Sequence, residues 1–130
     1  MTPKKPAHKA NWHKVDLHIH TPASIDYQCK NVKYIDILRQ ASKKNLDCIA
    51  FTDHNTISGY KQMKDEIKNL ELLESLKRLT KTEKDLLQEF RYLLKQILVL
   101  PGFEFTATFG FHILGIFSPK TSIRTIEHIL

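Results

Sequence analysis

From Val15 to His20, apolar and polar residues alternate, with Val15, Leu17 and Ile19 set against Asp16, His18 and His20. Period two predicts a strand. Thr21-Pro22-Ala23-Ser24 ends it, since proline and small polar residues punctuate, and a loop runs on to Lys33. Tyr34 to Asn45 has helical spacing, with Ile35, Leu38 and Ala41 on one side and Asn45 as the stop. Asp47 to Thr52 is a short apolar run of the kind found in strands buried on both faces. Asp53-His54-Asn55-Thr56 reads as the turn after it, with Thr56 or Ser58 capping the next helix. Helical character then extends from Ile57 to about Gln96. Thr80-Lys81-Thr82 divides it into two helices, with Thr82 as the second cap, and its leucines predict amphipathic packing on a sheet. Ile97 to Leu100 is a third strand, followed by Pro101-Gly102-Phe103-Glu104-Phe105. Phe111 to Phe117 is a fourth, and Ser122 caps a last helix running to Leu130.

Strand, helix, strand, helices, strand is the order of an α/β protein with a parallel sheet and right-handed crossovers. One exception is legible. About eight residues separate Glu104 from His112, and a parallel crossover needs about a dozen or more. The third and fourth strands therefore form a hairpin, which brings Glu104 and His112 to one end of the sheet.

At 130 residues the chain has the length of one domain, short for a barrel enzyme of about 200 residues or more. Residues 1–13 read as a flexible basic lead-in and 14–130 as the domain. Cys29, in a polar loop, and Cys48, read as a buried thiol, make no disulfide framework. No secretory signal precedes the first strand, and no apolar run is long enough to span a bilayer, so the expectation is a cytoplasmic protein without a membrane partner. The net charge of +6 suits phosphates or nucleic acid, or simply a soluble surface.

Candidate chemistry gathers where the strands end. His18 and His20, two apart on a regular strand, point to one face. His54 follows the second strand, Glu104 ends the third, and His112 lies beside it through the hairpin. Asp26, in the first loop, is a further candidate, with an Asx-turn as the alternative. Asp53 is expected to orient a ligand histidine or the turn. His8, His13 and His128 read as surface residues. Four imidazoles and two carboxylates without a thiolate suit Zn, Mn or Fe better than Ca or Mg. Six candidate ligands exceed one tetrahedral ion and suggest two ions or more bridged by a carboxylate. Ions about 3.5–4 Å apart suit phosphoester hydrolysis, in which they activate a water and steady both the attacking and the leaving oxygen.

Four motifs in order carry a family resemblance: Asp16-Leu17-His18-Ile19-His20-Thr21, Phe51-Thr52-Asp53-His54, Leu100-Pro101-Gly102-Phe103-Glu104 and His112-Ile113-Leu114-Gly115. The stretch from residue 14 to 118 resembles the PHP domain, named for polymerase and histidinol phosphatase. The resemblance implies a distorted (β/α)7 barrel, here its first four strands with a long helical insertion after the second. It also implies a cluster of two or three divalent ions and phosphoesterase chemistry on a phosphorylated small molecule or a nucleic-acid end. Residue by residue, it carries the metal-ligand role onto His18, His20, Asp26, His54, Glu104 and His112. The wording of Thr21 to Ser24 and of Phe103 to Phe117 is most similar to PHP domains at the front of larger ATPases.

The helical segment is longer than the family usually has there. The family's later histidine and Asp-x-His ligands are absent, so a fragment lacking the rest of the barrel, and an attached domain such as an ATPase, is the expectation. Two rivals stand beside the enzyme reading. One is a non-catalytic PHP module that holds metal or nucleic acid and regulates an attached ATPase or polymerase. The other is an amidohydrolase, which shares the His-x-His pair but lacks the Asp-His and Pro-Gly-x-Glu motifs in this order.

Overall fold

The structure, a computed structural model, describes residues 12–29 and 31–130. Eight elements follow one another: β1 (Val15–Ile19), α1 (Tyr34–Lys43), β2 (Cys48–His54), α2 (Ser58–Ser75), α3 (Lys81–Gln96), β3 (Leu98–Thr106), β4 (His112–Ile116) and α4 (Ile123–Glu127). The sheet order is β1-β2-β3-β4. The first three strands are parallel and β4 is antiparallel to β3, as the short Glu104–His112 separation requires. The sheet is a curled half-barrel. Ile49 and Phe51 on β2 and Val99 and Phe103 on β3 share a core with Leu38 of α1, Met63 of α2 and Phe90 of α3. Ala50 and Thr52, on the other side of β2, are buried as well, which accounts for the unbroken apolar run. Among the described residues no helix is long and apolar enough to cross a membrane.

Several local expectations are corrected. β2 does not stop at Thr52 but carries Asp53 and His54 in register with Phe103 and Glu104 of β3; polar side chains at strand ends resemble turn residues in a sequence. β3 likewise runs through Pro101 and Gly102 to Thr106. Proline is tolerated because its missing N–H falls at the end of the β3–β4 ladder, where the Phe117 N–H donates to the Pro101 carbonyl (2.9 Å). Thr80, not Thr82, caps α3: its hydroxyl accepts from the Glu83 N–H (3.2 Å), and the Glu83 carboxylate accepts from the Thr80 N–H (2.8 Å), a complete capping box. At α2 the N-cap position is Ile57, although the Thr56 hydroxyl accepts the Ser58 N–H (3.1 Å). β4 is trimmed to His112–Ile116. α4, capped by Ser122 as expected, stops at Glu127. Cys48 is half-buried rather than enclosed, and Cys29 is exposed. His13 and His128 lie on the surface; His8 and most of the lead-in lie outside the described residues.

Asn45 stops α1 as read. It sits at φ 56° while its N–H donates to Ser42 and the Leu46 N–H to Ala41, the paired bonds of a Schellman ending. α2 ends the same way, but with Lys77 at φ 56°, where the Lys77 and Arg78 N–H groups donate to Glu74 and Leu73. A side chain in this left-handed region costs about 1–2 kcal/mol that glycine avoids. Lys77→Gly is therefore expected to stabilise the protein by up to about 1 kcal/mol after glycine's extra unfolded-state entropy, read as a rise in denaturant midpoint at constant slope. An unchanged or lower midpoint would contradict the assignment.

Candidate metal centre

β1 is not a regular strand. Asp16 pairs with Ile49 and Ile19 with Phe51, so β1 spends one residue more than β2 over this stretch. This is a β-bulge, a device that re-aims side chains beside functional sites. The His18 N–H donates to Asp16 Oδ1 inside it (3.2 Å). The two histidines nevertheless reach one side, as their spacing of two implies. His18 Nε2 lies 2.9 Å and His20 Nε2 2.7 Å from the same oxygen, Glu104 Oε2.

The opposite side of the cluster follows from strand register. His54 pairs with Glu104 across β2–β3, and Glu104 pairs with Leu114, two residues after His112, across β3–β4. Paired residues share a face, so His54, Glu104 and His112 face the same way. His54 Nδ1 is 3.7 Å from Glu104 Oε2, and His112 Nδ1 is 2.5 Å from Oε1. Asp26 closes the rim, its Oδ2 2.8 Å from His20 Nδ1 and 3.4 Å from His54 Nε2. All six sequence-predicted residues are therefore brought together, around a Glu104 that is only 3% exposed. Three overlapping groups each place their ligand-capable atoms within 4.8 Å of one another: His18, His20 and Glu104; His20, Asp26 and His54; and His54, Glu104 and His112.

The donor set fits divalent ions. Both ring nitrogens of His20 face carboxylate oxygens, yet a neutral imidazole carries a single N–H. Either the ring is charged or a cation lies between nitrogen and oxygen. Among the described residues no lysine or arginine forms an ion pair with Asp26 or Glu104. The electrostatics of the protein alone lean toward retained protons. Burial works against charge on His20, but hydrogen bonds and charges from Asp26 and Glu104 outweigh it and raise its pKa. Burial likewise works against the Glu104 carboxylate, and the neighbouring His18, His20 and His54 hold its pKa below the ordinary value. Asp26 is held down to about 2, chiefly by the Ser24 hydroxyl. Cations in place of those protons would satisfy the same oxygens.

Asp53 faces away from the cluster. It is 1% exposed, accepts the Thr21 N–H (2.5 Å) and hydroxyl (2.7 Å), and receives the Gly59 N–H at the start of α2. It thus orients the turn rather than a ligand ring, and ties the residue after His20 to the residue before His54. Burial raises its pKa against those hydrogen bonds. Asn55, at φ 50°, turns the chain out of β2 and donates its N–H to the Glu104 carbonyl (2.8 Å). No role for Asp16, Thr21, Ser24 or Asn55 follows from the sequence, although Asp16 and Thr21 stand inside the first motif. The available signal is the short polar side chain that bonds backbone two residues away, as Asp16 does to His18.

The family model of the PHP domain matches residues 16–114 of this chain. No curated protein matches it, and no solved structure does.

Proposed function

The chain belongs to the PHP domain family, which includes phosphoesterases, and on that premise we propose that it serves a metal-dependent phosphoesterase whose centre is His18, His20, Asp26, His54, Glu104 and His112. The observation that carries the reading is that His20, His54 and Glu104 each belong to two of the three ligand groups, so these residues would together hold two or three Mn, Zn or Fe ions. Such ions supply a nucleophilic water near neutral pH and positive charge for phosphate oxygens. The half-exposed His18 and His112 leave the centre open on the side where an ester of a phosphorylated small molecule or a nucleic-acid end would enter. The edges of β1 and β4 carry no partner strand among the described residues, and we take further strands to complete the sheet beside the centre. The free thiols Cys29 and Cys48 suit a reducing cytoplasm.

Hydrolysis of a phosphomonoester probe in the presence of Mn2+ tests the reading. His18→Ala and His54→Ala are each expected to cut turnover by more than the ten- to hundredfold that loss of a group supporting a ligand costs, with the fold retained. Turnover undiminished in both variants would overturn it. Tight ion binding with no turnover by the unaltered protein would favour the non-catalytic binding module.

A further inference from the structure

Asp26 lies on an exposed loop, and such a side chain ordinarily samples several rotamers. Here each of its oxygens has a fixed partner. Oδ2 faces His20 and His54, while Oδ1 accepts the hydroxyl of Ser24 at 2.6 Å. Ser24 is fully buried in the same loop and held by its N–H to the Thr21 carbonyl (2.9 Å). Its hydroxyl in turn accepts the backbone N–H of His54 at 3.2 Å. A backbone N–H can only donate, so the direction of the chain is set: His54 N–H to Ser24 Oγ, and Ser24 O–H to Asp26 Oδ1. The hydroxyl has one proton and spends it on Asp26, which leaves Oδ2 turned to the two imidazoles. One small buried side chain therefore links the end of β2 to the loop after β1 and sets the relative placement of the two elements that supply His54 and Asp26.

We propose that Ser24 is a positioning residue for the ion held by His20, Asp26 and His54, acting through the Asp26 carboxylate. The proposal rests on the metal-dependent reading above, and metal affinity rather than turnover tests it. Titration of the metal-free chain with Zn2+ or Mn2+ by calorimetry, with thermal melts as the check on folding, is expected to show Ser24→Ala weakening one class of site by about ten- to hundredfold. In the Asp26→Asn background the same change is expected to have little further effect, because residues acting through one another are not additive. A merely structural role would instead persist in that background.

If Ser24→Ala does not fold, the isosteric pair Ser24→Thr and Ser24→Val separates hydroxyl from volume, with Val expected at least about tenfold weaker. Wild-type affinity in Ser24→Ala, an undiminished loss in the Asp26→Asn background, or equal affinities for the Thr and Val variants would overturn the proposal and leave the metal reading standing. Absence of ion binding by the unaltered chain would overturn both.

Discussion

Glu104→Gln is expected to remove most of the stabilisation that divalent ions confer while leaving the fold in place. The substitution keeps the shape, removes the charge and turns one of the two acceptor oxygens into an NH2 donor. That charge is the hub of the centre: His18 and His20 meet one oxygen at 2.9 and 2.7 Å, and His112 meets the other at 2.5 Å. A residue that belongs to two ligand groups should cost more than a group that merely supports a ligand, so the affinity for Zn2+ or Mn2+ is expected to fall by at least about 100-fold. Linkage turns this into a melting experiment. At an ion concentration 100 times the wild-type dissociation constant, binding stabilises the wild type by about 2.7 kcal/mol, and a site 100-fold weaker gives about 0.4 kcal/mol. Equal metal-induced shifts in Tm for wild type and variant would remove Glu104 from the centre.

The same variant predicts a pH effect of known sign. Asp26 and Glu104 raise the His20 pKa, and an imidazole must be neutral to bind an ion. Metal affinity of the wild type should therefore climb as pH rises through that raised value. In the metal-free protein, the contribution of His20 to stability is present below its ordinary value near 6.5 and is lost as pH rises through the raised one. Glu104 acts in the opposite sense, contributing above the ordinary carboxylate range and losing that contribution as pH falls through its depressed value. Removing the Glu104 charge takes away one of the influences that hold the His20 proton. A ring-proton NMR titration should place the His20 midpoint lower in Glu104→Gln than in wild type, and an upward shift would contradict the geometry.

The side chains of the cluster are legible in the sequence because strand ends collect them. The β3–β4 hairpin is legible from chain length alone, since the residues between Glu104 and His112 cannot hold a helix. What escapes is whatever depends on register. The bulge between Asp16 and Ile19 leaves no mark in an alternating Val-Asp-Leu-His-Ile pattern. Asp53-His54 looks like a turn because polar residues end strands and begin loops alike, and only pairing with Phe103 and Glu104 puts them in the sheet. Thr21 and Ser24 resemble punctuation around Pro22, although both are fully buried and hydrogen-bonded across elements. A buried hydroxyl and a loop hydroxyl are the same letter.

Gly59→Ala shows how far that hidden layer governs stability, and it is expected to be the most destabilising single methyl in the protein's site region. Gly59 lies in the first turn of α2, where alanine would ordinarily favour the helix by about 1 kcal/mol. Here a Cβ would stand 2.1 Å from Asp53 Oδ2 and 2.2 Å from Thr21 Oγ1, the two atoms that hydrogen-bond each other at 2.7 Å. No flexible chain end can swing aside, because Asp53 and Thr21 are both buried. Overpacking of this kind costs about 1–3 kcal/mol, and a buried carboxylate that loses its donors costs about 1–3 kcal/mol more. Offset by the helix preference, the net loss is about 1–5 kcal/mol, set against the 5–15 kcal/mol typical of a domain. The damage should reach the metal centre as well, since Thr21 follows His20 and Asp53 precedes His54. Urea unfolding of the metal-free protein checks the first effect, and ion titration of whatever remains folded checks the second. A variant within about 0.5 kcal/mol of wild type would mean that α2 can move away from Asp53, and that the junction does not hold His20 and His54 in place.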